Sequence, residues 1–388
     1  MKILSKRQSN PSGLRRPLIR RLTAFTAFMV LSVLTPFPTL ASDWRLAAPG
    51  YQFHFPADHG PHRDYQTEWW YLTGNLQTTD GKAFGYELTF FRYGYRSPSQ
   101  RGPVKSRFVM DDLKFAHFTV TDVSARQFHV AGRSSRGAFG DAGFLSGSRL
   151  VWIDDWELDF TDQHFAAKAS NGDTSISFEL KPEKQPVLEG DNGYSRKAET
   201  GNHASEYYSV TRLQTRGTLT VGGQTYQVSG LSWFDREWST NQLAPDQTGW
   251  NWFAIQLDNG SDLMLYQIRR RDGSIDPCSG GKWVESDGRT VELGSDDLVL
   301  QPIRTWTTVD GKATYPIGWR ATVPKLNFTC SITTPVDNQE LNVGVRYWEG
   351  CIRIQGTKDQ KPVAGKGYLE LTGYAGTSRS EQEQPAKP

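Results

Sequence analysis

Apolar and polar positions alternate with a period of two along most of this chain. That is the spacing of half-buried strands, whose successive side chains point to opposite faces. The pattern predicts strands at 67–77, 83–93, 114–122, 149–160, 174–180, 207–220, 225–233, 251–257, 263–269, 299–308, 326–332, 341–347, 351–356 and 367–372. Thr79-Asp80-Gly81, Gly222-Gly223 and Asp258-Asn259-Gly260 supply hairpin turns between them. No long amphipathic helix is predicted, only short helical turns near 141–148 and 240–246. So many strands expose edges unless the sheets close, which favours antiparallel barrels. The Pro-, Gly- and Lys-rich stretch 181–203 interrupts the rhythm and reads as a connection. The expectation is therefore all-β: an N-terminal barrel over 42–200, a C-terminal barrel over 201–376 and a disordered tail at 377–388. The halves share a theme, with Trp69-Trp70-Tyr71 in one and Trp250-Asn251-Trp252 in the other. Phe84–Leu88 and Leu263–Gln267 each follow a turn of the Asp/Gly type.

Charge changes the picture at the N-terminus. Lys2, Lys6, Arg7, Arg15, Arg16, Arg20 and Arg21 precede an apolar run, 22–34, and Thr39-Leu40-Ala41 offers a cleavage site. Residues 1–41 read as a secretory signal peptide, so the protein is expected to be exported, periplasmic or secreted, with no stable membrane span after cleavage. Loss of those seven bases takes the net charge from +2 to −5. No basic stripe is left to follow a phosphate backbone, which argues against nucleic acid as a partner. Cys330 and Cys351 pair only if their strands are neighbours, and Cys278 is left over.

Aromatic content is high, at 12% of residues with 13 Trp. Trp69 and Tyr71 share one face of their strand and Trp70 the other, so one face looks into a barrel and the other toward a partner surface, the second domain or solvent. Trp233, Trp238, Trp250 and Trp252 fall within twenty residues. These indoles are either barrel core or the walls of a cavity for a flat or long apolar ligand. The densest titratable group is Asp58, His59, His62, Asp64 and Glu68. Gly60 and Pro61 keep its histidines off a helix face, so the cluster reads as a polar barrel mouth and no metal is assigned. Asp235 and Glu237 alternate with Arg236 and, if they face inward, supply a proton donor whose pKa burial would raise. Glu68, Glu87 and Tyr266 are further strand residues that can reach a cavity. His117 and His203 stand singly and read as structural. No nucleophile elbow, phosphate loop or dinucleotide fingerprint occurs, so neither hydrolase nor kinase chemistry is indicated and no cofactor is implied.

Asp58–Leu76, Gly85–Arg92, Ala116–Asp122, Ser232–Gln242 and Gly249–Leu257 resemble the carotenoid 1,2-hydratase-like family, also called AttH-like or lipocalin-like. The resemblance runs from about Tyr51 to Tyr374 and implies two tandem lipocalin-like, calycin-type barrels. It implies a hydrophobic isoprenoid or lipid-like ligand and water addition to a carbon–carbon double bond. In the family's hydratase pattern an Asp-His-x-Trp block precedes Tyr-x-Asp. Trp238 and Tyr266 match it here, whereas Arg236 replaces the histidine and Ile268 the aspartate. An arginine cannot give up a proton near neutrality and isoleucine has none to give. The catalytic set expected is Asp235 or Glu237 as acid with Trp238 and Tyr266 as walls. Trp69, Trp70, Tyr71, Glu68, Glu87, Trp233, Trp250 and Trp252 are expected around the ligand. The alternative is a non-catalytic periplasmic lipid-binding accessory of an ABC-type exporter, and a third reading fills both barrels with their own aromatic side chains.

Overall fold

The computed structural model describes residues 43–102, 106, 108–145 and 147–375; the expected leader and tail lie outside the described residues. Strands β1 (Thr67–Gln77), β2 (Ala83–Gly94), β3 (Asp112–Asp122) and β4 (Gln127–Ser135) form one antiparallel meander. A second comprises β5 (Ala142–Phe144), β6 (Arg149–Ile153), β7 (Trp156–Thr161), β8 (His164–Asn171) and β9 (Thr174–Pro182). Short strands β10 (Val187–Leu188) and β11 (Tyr194–Arg196) lie against β12 (Ala204–Val221). This long strand turns back through Gly222-Gly223 into β13 (Gln224–Asn241). Both glycines have positive φ, which a residue without Cβ adopts at little cost. Because β13 pairs with β1 and β12 with β9, the hairpin joins the two meanders into one sheet, curled into a nearly closed barrel.

The second sheet repeats this winding. It contains β14 (Gln247–Leu257), β15 (Asp262–Arg270), β16 (Gly280–Val284), β17 (Thr290–Gly294), β18 (Val299–Thr307), β19 (Thr314–Val323) and β20 (Phe328–Thr333). It ends with β21 (Glu340–Asn342), β22 (Arg346–Lys358) and β23 (Lys361–Leu371). Again four strands meander, and the last hairpin, β22–β23, inserts between the first strand and the remainder, giving the order β17-β16-β15-β14-β23-β22-β20-β19-β18 and a half-barrel. Strand β1 thus corresponds to β14, β2 to β15 and β13 to β23. The shared theme around Trp69-Trp70-Tyr71 and Trp250–Trp252 falls on corresponding strands.

Three expectations are corrected. The chain changes sheet between Asn241 and Gln247, not near residue 200, because the β12–β13 hairpin completes the first barrel. Among the described residues no helix forms near 141–148 or 240–246: residues 142–144 are strand, β13 runs on to Asn241, and residues 244–247 make a single turn closed by Gln247 N donating to the Ala244 carbonyl. The run 149–160 is two strands, broken by a turn at Asp154, whose φ is 55°.

Trp70, Leu72, Tyr208, Phe234 and Trp238 pack in the core of the first barrel, and Phe253, Ile255, Trp283, Trp319 and Trp348 in the core of the half-barrel. A third cluster, including Tyr71, Tyr207, Trp233, Trp252 and Tyr368, lies where the two sheets meet. Cys278, Cys330 and Cys351 are free thiols: Cys330 belongs to the second core and Cys351 to the sheet junction. Among the described residues no helix is long and apolar enough to cross a membrane.

Candidate functional site

Alternation along β1 and β13 decides what reaches the junction. Even positions Glu68, Trp70, Arg236 and Trp238 enter the first barrel; odd positions Trp69, Tyr71, Asp235 and Glu237 face the second sheet. Register places Trp69 opposite Glu237 and Tyr71 opposite Asp235. On the other sheet Trp252 stands opposite Tyr266 on one side and Glu370 on the other, and Trp250 opposite Ile268. Between these faces lies a cavity of about 160 Å³. Trp69, Tyr71, Tyr207, Trp250, Trp252 and Tyr266 wall it; Thr67, Phe91, Gln242 and Leu243 also line it. Each sheet contributes an aromatic residue with a carboxyl beside it on corresponding strands, Tyr71 with Asp235 and Trp252 with Glu370.

The polar groups divide by their partners. Asp235 accepts hydrogen bonds from Tyr207 Oη, Ser209 Oγ and Trp233 Nε1, each at 2.6 Å. Burial pushes its carboxyl up to about 7 against the pull of those three donors. Glu237 forms an ion pair with Lys197 Nζ at 2.9 Å and accepts from Ser205 Oγ. Lys197 also donates to Ser195 Oγ at 3.0 Å. Glu370 has one hydrogen bond, from Trp250 Nε1 to Oε2 at 3.1 Å. Burial pushes Glu370 up to about 8, helped by the negative charges of Glu87, Glu237 and Asp235. Part of its surface stays open to the cavity, while the protein shields it from bulk water. A carboxyl that keeps its proton at neutral pH, beside aromatic faces, is an acid placed where a cation would be stabilised.

Behind the cavity stand Glu349 and Glu87. Tyr71 Oη donates to Glu349 Oε1 at 2.6 Å. Both oxygens of Glu87 and the Oε2 of Glu349 are buried without a hydrogen-bond partner. Thr89, Tyr347 and Thr119 lie near enough to ease the Glu87 carboxyl slightly, but burial dominates and raises it to about 7. The folded Glu87 therefore holds a proton that an unfolded chain releases above its ordinary value of 4.5. Stability is expected to fall as pH rises through that window, by about 3 kcal/mol from this residue alone. Glu87→Gln is expected to remove that part of the slope, read as denaturant midpoints at roughly pH 5 and pH 8; equal slopes in both proteins would refute it.

Several sequence candidates sit elsewhere. Trp70 and Trp238 are first-barrel core: Trp238 stacks on His62 at 3.6 Å between ring centroids, and the Arg236 guanidinium lies 3.8 Å from the Trp70 centroid. Trp238 and Tyr266 consequently face different places, because a one-residue step along a strand reverses its face. Glu68 is fully buried in the first barrel, paired with Arg92 and Arg236, which hold its carboxyl well below the usual range despite the desolvation. Trp233 does not line the cavity; it supports Asp235 from behind. Of the cluster expected at a barrel mouth, Asp58 and His59 are buried, and Asp58 accepts from His62 Nε2 at 3.1 Å and Tyr51 Oη at 3.0 Å. His59 shares a 2.6 Å hydrogen bond with Tyr208 Oη, and burial lowers it to about 4, so it is neutral. Asp64 is exposed, and only its carbonyl is engaged, by Arg45 N. Among the described residues no cluster of ligating side chains could hold a metal ion. A larger open groove of about 1490 Å³ is rimmed by Lys181, Glu183, Asp287 and Glu292 and meets, of these candidates, only His59.

Sequence reasoning missed Lys197, Tyr207, Glu349 and Glu370. The alternation Tyr368-Leu369-Glu370-Leu371 does put Glu370 on the face of Tyr368; Lys197 lay hidden in the stretch read as a connection.

The comparisons agree with this architecture. No curated protein matches the chain in sequence. Among solved structures, one assigned as AttH from Nitrosomonas europaea is 34% identical, with a TM-score of 0.76 over 85% of this chain and 99% of that one. Kievitone hydratase from Nectria haematococca superposes with a TM-score of 0.65 over 86% of this chain and 97% of its own, at 15% identity, which speaks to the fold alone. The AttH-like family model matches residues 46–374, and with that span and the 34% identical relative the chain belongs to the AttH-like family.

Proposed function

We propose that this chain takes the unsaturated end of an isoprenoid or lipid-like molecule into the cavity between its sheets and adds water across a carbon–carbon double bond. The observation that carries the reading is Glu370: a carboxyl held in its acid form faces a cavity walled by Trp69, Trp250, Trp252 and Tyr266. Glu370 gives its proton to one alkene carbon, and the aromatic faces stabilise the tertiary cation that results. Water adds to that cation. The name of the kievitone hydratase that shares the fold fits this chemistry.

Volume limits the substrate. A cavity near 150 Å³ takes a molecule the size of benzene, and drug-sized ligands need about 300 Å³ or more. A space of about 160 Å³ therefore takes a terminal prenyl group and not a whole long-chain molecule. Export, on the strength of the leader, would place the protein where such molecules meet the envelope. The second reading, a lipid-binding accessory of an ABC-type permease, is favoured by Arg236 and Ile268, which replace two reactive groups of the family pattern.

Incubation with short prenyl alcohols and prenylated phenols distinguishes the two. Hydration predicts quenching of tryptophan fluorescence and a product heavier by one water. Quenching with recovery of unchanged ligand would leave the carrier reading standing. Neither quenching nor product would remove both.

A further inference from the structure

The strand register sets two carboxyls side by side on one buried face. Glu349 on β22 and Glu370 on β23 are directly opposed. Such cross-strand partners have Cβ atoms about 5 Å apart, and like charges there repel. Among the described residues neither has a cation paired with it: the one lysine lining the cavity, Lys197, is engaged by Glu237 on the other sheet. Glu349 Oε1 is occupied by the Tyr71 hydroxyl, whereas its Oε2 is buried and unpartnered; Glu370 uses only Oε2, for Trp250. Each carboxyl thus keeps one oxygen free. From the facing sheet Glu87, fully buried and with both oxygens unpartnered, lies near enough for its charge to raise both carboxyls. A buried, unpaired carboxylate is too costly to persist, and two acids this close answer the problem by holding protons in common.

We propose that Glu349 and Glu370 form a proton-sharing carboxyl pair, with Glu87 near it, in which Glu349 is a positioning residue that stabilises Glu370 once its proton has left. The catalytic consequence rests on the hydration reading above; the pair itself does not. Before reaction the pair holds two protons. Glu370 gives one to the alkene carbon, and the remaining proton bridges the two carboxyls. The carbon–oxygen bond forms from water, and the proton that water then sheds returns to the pair, so the ledger of protons closes with one water consumed.

Other titratable groups also face the pair. Tyr71 on β1 and Tyr347 on β22 are phenols that burial keeps protonated, as is Tyr368 on β23. Asp235 and Glu237 on β13 add negative charge from the cavity side. Cys351 on β22 is a thiol pushed up to about 12 by burial. His117 on β3, bonded to Tyr347 Oη at 2.7 Å, is neutral because burial lowers it to about 4.

Infrared titration of the protonated-carboxyl C=O band, on the ligand-free chain, reads the pair directly. The wild type is expected to lose the pair's intensity in two steps separated by about one pH unit or more. In Glu349→Gln and in Glu370→Gln both steps give way to a single one at a new pH. If each variant deletes one step and leaves the other at its wild-type pH, the acids are independent and the proposal falls. Glu349→Asp, which keeps the carboxyl at shorter reach, serves where Glu349→Gln does not fold; it should keep two steps with a narrower gap, and an unchanged gap counts against the pair. In turnover, Glu349→Gln is expected to lower kcat with KM unchanged and to move the alkaline limb. An alkaline limb at the wild-type position would overturn the positioning role. Absence of turnover in the wild type, with two coupled steps intact, would sink the hydration reading and leave the pair.

Discussion

Glu370→Gln is expected to lower kcat for hydration of a prenyl double bond by about 10²–10⁴-fold, the usual worth of a positioned general acid. The amide keeps the shape of the side chain and can still accept from Trp250 Nε1, so KM and folding should change little. It has no proton to give. Asp235→Asn is the informative contrast. Asp235 already accepts three short hydrogen bonds, from Tyr207, Ser209 and Trp233, so it acts as the clamp that fixes one cavity wall. Its loss should raise KM at least as much as it lowers kcat. Rates of product formation across substrate concentration settle the matter. A Glu370→Gln enzyme with full kcat, and an Asp235→Asn enzyme with none, would transfer the acid role to Asp235.

Glu68→Ala is expected to destabilise the fold by about 3–5 kcal/mol, the cost of stranding buried charge. Glu68 receives Arg92 and Arg236 at once, and all three side chains are fully buried. Arg92 is further tied to Asp112 Oδ1 at 3.0 Å and the Tyr65 carbonyl at 2.5 Å; Arg236 reaches the Gly60 carbonyl at 2.6 Å. Without the carboxylate two guanidinium groups remain deep in the first barrel, where Asp112 is the one carboxylate left to them beside carbonyls, His62 Nδ1 at 3.2 Å and the Trp70 ring. Urea unfolding followed by tryptophan fluorescence measures the loss. Below the new midpoint, ligand quenching should survive, since Glu68 lies on the opposite face of β1 from Trp69 and Tyr71. A loss of quenching in the folded variant would show that the network also shapes the cavity.

Most of the strands and the split between Trp70 and its neighbours were legible in the sequence because both follow from period-two alternation. Alternation tells which residues share a face but not what that face meets. Asp235 and Glu237 were therefore grouped correctly with each other, yet Trp238, one step on, was placed with Tyr266 although it belongs to the barrel interior. The change of sheet was misplaced for a related reason. The long β12–β13 hairpin carries no local mark that says which meander it will join; pairing with β1, more than a hundred residues earlier, decides it. Strands β4, β8, β16 and β17 escaped because their outer faces are polar or their runs short, and β19 because Pro316 and Gly318 interrupt its pattern. Glu370 and Glu349 stayed hidden because a lone acid in a strand looks like a solvent-facing residue until the opposing sheet covers it.

Tubular proteins inherit their internal diameter from strand number and stagger, so altering the guest means rebuilding the whole wall. Here the nearly closed barrel and the half-barrel both have packed cores, and the aromatic-walled cavity is a seam between two like-wound halves. Side chains on β1, β13, β14 and β23 set its width without entering either core. On the reading proposed above, relatives can acquire new ligands by swapping a few seam residues while both cores stay intact, a route to diversification that a hollow tube lacks.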